Sequence, residues 1–195
     1  MANVKLSAAE IELVTNSSLL LTKKKIIDAI YIQMGSWQLS FKNLMEQKNK
    51  AVTLINTNAK IYKGENYENL PWVALDYPKI IAKDDLFIIR IFFWWGQYCS
   101  INLIAKGKFK NTINPNLLAT VCANWFVYTG DDIWEMNMYT RHFTLIKNAI
   151  NMPRHDKNFI KIAKKIPLSQ WDSMNNFIMN SFEELLQILV TQTVE

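Results

Sequence analysis

The chain has 195 residues, half of them apolar and a fifth charged, with 22 Lys plus Arg against 17 Asp plus Glu and a formal charge of +5. Those proportions exclude a disordered chain, a collagen, a disulfide-stapled miniprotein and a bundle of membrane spans. Only Arg90, Arg141 and Arg154 among the basic residues are arginine, and the basic excess is spread along the chain, so a nucleic-acid partner is not expected.

Residues 1–12 lack a basic-then-apolar leader and carry Glu10 and Glu12. Ser7-Ala8-Ala9-Glu10 matches a capping box and predicts a short helix to about Thr15. A second helix is expected over residues 22–48. Its stripe is Ile26, Ile30, Met34, Trp37, Phe41 and Leu44, one face at a 3.6-residue period. From Lys60 the pattern changes. Residues 71–77, 86–94 and 97–105 are short, aromatic or β-branched, and bounded by turn residues, so they read as strands. Asn114-Pro115 opens a short helix to Val121. Residues 125–129 and 133–138 then read as a hairpin about Gly130-Asp131. Residues 159–168 read as a last strand, and Ser169-x-x-Asp172 opens a terminal helix with Met174, Ile178, Phe182, Leu185 and Leu189 on one stripe.

Helices, then strands, then a helix predict an α+β fold in one domain over 1–195. An antiparallel sheet carries long N-terminal and C-terminal helices on the same face. The longest apolar run, residues 86–96, is about half of what a bilayer requires and contains Arg90, so no membrane span is expected. Cys99 and Cys122 fit buried thiols, and the expected location is the cytoplasm.

One strand is chemically odd. Residues 86–95 are apolar on both parities, so either both faces are covered or the second lines a pocket. A two-residue turn at Trp95-Gly96 would set Arg90 opposite Ile101, although a Trp at positive φ is awkward there. Arg90 shares a face with Ile88, Phe92 and Trp94 and cannot shed its proton, so burial demands a carboxylate, backbone carbonyls or a bound anion. Asp76 and Glu65 are the nearest preceding carboxylates. Three readings stay open: a buried ion pair, an anion anchor in an aromatic pocket, or an arginine that reaches solvent.

Gly64-Glu-Asn-Tyr67, Leu70-Pro71, Leu75-Asp-Tyr-Pro78 and Ile89-Arg-x-Phe-x-Trp-Trp-Gly96 together resemble an uncharacterised bacterial protein family. The resemblance implies a stand-alone domain with no known activity. Similar proteins carry a histidine shortly after the tryptophan matched by Trp134, where this chain has Glu135, Met136 and Asn137.

The chain carries no nucleotide-binding glycine loop, no His-Glu-x-x-His, no Cys-x-x-Cys and no Gly-x-Ser-x-Gly. His142 and His155 sit among polar neighbours and read as solvated, Gly130-Asp131-Asp132 as a turn, and no cofactor or metal is expected. The residues point to a non-catalytic domain that binds a small anionic ligand or a protein partner through an aromatic sheet surface. Arg90 would contact the anion, Asp76 or Glu65 would orient it, and Tyr77, Trp94 and Trp134 would supply apolar contact. The alternatives are an enzyme on a small anionic substrate, with Asp76, Glu65 or Glu135 as general acid/base, and an interaction protein that forms a homodimer.

Overall fold

The computed structural model describes residues 3–50, 52–149 and 158–189. Helix α1 (Ala8–Thr15) starts at the expected capping box: Ser7 Oγ accepts from the Glu10 amide at 3.3 Å and Glu10 Oε2 accepts from the Ser7 amide at 2.7 Å. Helix α2 (Ser17–Gln47) begins ahead of the expected Thr22, because the Asn16 side chain caps it by accepting from the Leu19 amide. The three lysines at positions 23–25 therefore sit inside the helix rather than at its positive end. Of the expected stripe, Ile30, Met34, Trp37 and Phe41 are buried, while Ile26 and Leu44 pack from the margin. A short helix α3 (Val52–Ile55) follows.

Strand β1 (Lys60–Tyr67) was not expected. It is an edge strand, and its lysines and glycine hide the alternation that marks a half-buried strand. Strands β2 (Leu70–Ile81), β3 (Leu86–Trp94) and β4 (Tyr98–Lys106) form a meander with it. The β3–β4 connection is three residues long, so Trp94 pairs with Tyr98 and Arg90 with Asn102, one residue beyond the predicted register. A two-residue turn would have forced Trp95 to positive φ; the longer loop gives that conformation to Gly96, at φ 71°. A Cβ at Gly96 would meet nothing within 4 Å. Gly96→Ala is therefore expected to cost about 1–2 kcal/mol from backbone conformation alone, read as a lower urea midpoint with an unchanged m-value.

Helix α4 (Pro115–Val121) has the predicted ends, with the Asn114 side chain accepting from the Asn116 and Leu117 amides. Strand β5 (Phe126–Tyr128) pairs with β6 (Phe143–Leu145), not with residues 133–138. The predicted hairpin is thus corrected to a long loop, residues 129–142, closed by the Thr129 amide on His142 O at 2.8 Å. Strand β7 (Phe159–Pro167) enters the sheet between β4 and β5, and a 3-10 turn leads into helix α5 (Met174–Ile188).

The described residues form one seven-stranded antiparallel sheet in the order β1-β2-β3-β4-β7-β5-β6. Helices α2 and α5 cover one face, where Phe41 and Phe182 stack at 3.6 Å and the Trp37 indole donates to Asn175 Oδ1 at 2.9 Å. No described helix is long and apolar enough to cross a membrane.

Candidate functional site

Every residue of β3 is buried on both faces except Arg90, which is half-buried. The helices account for the face of Phe87, Ile89, Ile91 and Phe93. Loop 129–142 accounts for the other, packing Met136 and Met138 over Ile88, Phe92 and Trp94. The apolar double parity therefore reports two covers.

Under the loop a polar row crosses the sheet. The antiparallel register sets Lys60, Asp76, Arg90, Asn102 and Ala163 side by side on five adjacent strands. Arg90 meets Asp76 through two parallel hydrogen bonds, Nε to Oδ1 at 2.7 Å and Nη2 to Oδ2 at 3.0 Å. The Tyr62 hydroxyl donates to Asp76 Oδ2 at 2.9 Å, and Lys79 Nζ lies 3.4 Å from the same oxygen. Burial, more than its charged neighbours, pushes the Tyr62 phenol well above its usual range. Asn102 donates to Ser100 Oγ at 3.1 Å and to Arg90 O at 3.4 Å, while its Oδ1 is buried without a partner.

Further along β7, Lys161 is fully buried. Its ammonium donates to Ile133 O at 3.0 Å and to Glu135 O, below the rings of Tyr128 and Phe143. Burial, and then repulsion from Arg90, pull its pKa down to about 7. Two tyrosines grip the same loop. Tyr67 donates to Glu135 Oε1 at 2.6 Å and accepts from the amides of Met136 and Asn137, both at 2.9 Å. Tyr98 donates to Met136 O and accepts from the Met138 amide, both at 2.7 Å. These side chains take the backbone groups that a strand over 133–138 would have needed for a ladder, the physical reason that segment is no strand. The loop is thereby fixed, and it holds Trp134 with its ring centroid 5.0 Å from Arg90 Cζ while leaving that residue 43% exposed.

The structure brings together Arg90, Asp76 and Trp134 from the expected set. Tyr77 is corrected: it follows Asp76 along the strand, so it points to the helix face, where its hydroxyl donates to Ile55 O at 2.8 Å. Trp94 shares the face of Arg90 but lies a turn-end away along β3. Its indole donates to Tyr67 O at 3.3 Å and packs edge-on against Tyr67 and Tyr98. Glu65 is corrected as well; it stands exposed on the edge strand and pairs with Lys23 of α2, not with Arg90. Of the proposed acid/base carboxylates, Asp76 is held by Arg90, Tyr62 and Lys79, Glu65 by Lys23, and Glu135 by Tyr67 and the Asn137 amide.

Sequence reasoning missed Tyr62, Lys79, Asn102 and Lys161. On a β7 read as half-exposed, Lys161 takes the solvent parity. The available signal lay two strands away: if β3 is covered on both faces, neighbouring strands share that cover. Burial also raises the thiols of Cys99 and Cys122 to about 12, which leaves them protonated and unreactive at neutral pH. His142 packs beside the Tyr128 ring, His155 lies outside the described residues, and the described residues contain no group of three metal-ligating side chains.

The chain matches no protein-family model, no curated protein and no solved structure.

Proposed function

We propose that this protein is a non-catalytic binding domain that takes a small anionic ligand at the edge of the loop-covered sheet face, between Trp134, Arg90 and Lys79. One observation carries the reading: among the described residues, three cations surround the Tyr62 ring against the single carboxylate of Asp76. Lys60, Arg90 and Lys79 lie 5.5, 5.7 and 5.8 Å from the ring centroid. The compensating Asp76 is buried beneath them, its side chain 1% exposed against 20% for Lys79 and 11% for Arg90. The outward field at this edge is therefore positive, and the ring of Trp134 provides an apolar wall beside it. Arg90 contributes as a held charge whose Nε and Nη2 are spent on Asp76, so direct contact to the ligand falls to Lys79 and Lys60. A bacterial, cytoplasmic setting, and kinship with the family that the Gly64-Glu-Asn-Tyr67 and Ile89-Arg-x-Phe motifs resemble, belong to the same proposal.

Titration of 15N-labelled protein with phenyl phosphate tests it. The expected result is saturable shifts at the Trp134 indole and the Lys79 amide, with affinity about tenfold weaker in Lys79→Ala and the fold unchanged. Shifts scattered over the lysines of α2, with no effect of Lys79→Ala, would count against the site.

A further inference from the structure

The amino-terminal arm is the least explained surface of the molecule. Every residue from 3 to 22 is exposed, and α1 has no buried residue. Helices below about 12 residues do not hold in water on local interactions alone, so a helix the length of α1 calls for a covered face. All large apolar side chains of the arm are nonetheless open, from Leu6 at 48% to Val4 at 82%. Beside it, on the side of α2 turned away from Met34 and Phe41, runs a second apolar stripe with Ile32 at 77% and Leu39 at 61% exposed. A shallow, open groove along this one face of α2 begins that stripe, lined by Leu21, Lys24, Lys25, Asp28, Ala29 and Ile32.

We infer that the groove is filled by α1 of a second copy of this chain, and that the exchange is reciprocal in a two-fold dimer. Geometry excludes the chain's own α1. Only Asn16 separates α1 from α2, whereas an antiparallel helix pair takes a loop of about 2–5 residues, and the groove lies beyond that joint. Charge selects the occupant. Helix α1 carries Glu10 and Glu12 and no basic residue, while the groove carries Lys24 and Lys25. Lys24 already pairs with Asp28 at 2.9 Å, but among the described residues neither Lys25 nor Glu12 has an ion-pair partner. The same two acids disfavour an anionic lipid surface as the cover. By symmetry each Glu12 meets the other copy's Lys25, so a single apolar and charged patch is used twice.

Sedimentation velocity on the full chain over a concentration series tests the inference. The wild type is expected to be a dimer in the micromolar range. Glu12→Lys and Lys25→Glu are each expected to weaken dimerisation about tenfold or more through like-charge contacts, with unchanged far-UV dichroism. Mixing the two variants is expected to restore the dimer, because every pair across the heterodimer is then opposite in sign. A wild type that stays monomeric throughout overturns the inference, as does a dimer indifferent to both substitutions. A monomer that instead floats with phosphatidylserine vesicles assigns the arm to a membrane and also overturns it. None of these outcomes touches the Lys79 edge, so the two proposals fail separately.

Discussion

Asp76→Ala is expected to lower unfolding stability by about 3–5 kcal/mol, the cost of leaving a buried guanidinium without its counter-charge. The loss is aggravated by place: Lys79 and Lys60 stand by the same ring as Arg90, so removing the carboxylate that compensates them leaves cations facing one another. Arg90→Met should cost less, about 1–3 kcal/mol, because Asp76 keeps the Tyr62 hydroxyl at 2.9 Å and Lys79 at 3.4 Å. Combining Asp76→Leu with Arg90→Met should recover most of the larger loss, since a well-packed apolar pair of similar volume removes the desolvation penalty of both ions. Urea denaturation of the single and double variants measures all three. Equal, additive losses would mean that the two side chains act independently, against the paired geometry. The same series separates structure from binding: a double variant that folds as well as wild type, yet no longer shifts with phenyl phosphate, assigns the held charge of Arg90 to the ligand.

Stability should also rise between pH 7 and about 8.5, and Lys161 is the reason. Its folded pKa, pulled to about 7 by burial, lies below its ordinary value. Below pH 7 both folded and unfolded chains carry the proton, and the folded state bears the cost of a buried ammonium. As pH rises past 7 the folded state releases that proton while the unfolded chain keeps it up to about 10.4, so protons bound by the unfolded state exceed those bound by the folded one and stability grows. Over the window the net gain is about 1 kcal/mol, because Cys99 and Cys122 already begin to ionise in the unfolded chain and offset part of the Lys161 contribution. Above about 8.5 the trend reverses, because Cys99 and Cys122 are held protonated to about 12 in the fold but ionise once unfolded. Lys161→Met keeps the side-chain volume and removes the titration. Its urea midpoints should fall slightly from pH 7 to about 8.5, through the two cysteines alone, where the wild type climbs. A wild-type curve that falls there as the variant's does would show that Lys161 keeps an ordinary pKa, and with it a solvated amine rather than a clamp on loop 129–142.

How much of this was legible in the chain depended on distance along it. The capping box at Ser7, the Trp37 and Phe41 stripe, the Pro115 helix start and the bounds of β3 all follow from residues within one or two turns of each other. The need of a buried Arg90 for a carboxylate, backbone carbonyls or an anion was legible too, since no backbone conformation removes the cost of an unpaired buried charge. Tyr77 was readable and misassigned: adjacent positions on a strand point to opposite faces, so it could not join Asp76 beside Arg90. The β3–β4 register turned on whether Trp95 or Gly96 adopts positive φ, which a loop one residue longer settles in favour of glycine.

Composition and periodicity alone determined that helices flank an antiparallel sheet, that β3 has either two covers or a cover and a pocket, and that its arginine, if buried, needs a partner. Those properties rest on local dihedral preferences and on the free energy of burying each side chain, and both are carried by neighbouring residues. Only the tertiary structure decided what lies on the second face. A lysine on β7, tyrosines on β1 and β4, and a loop from between β5 and β6 meet there by strand order, and no spacing in the chain encodes that order. Whether a polar side chain is solvated or held is set by the cover that arrives from elsewhere.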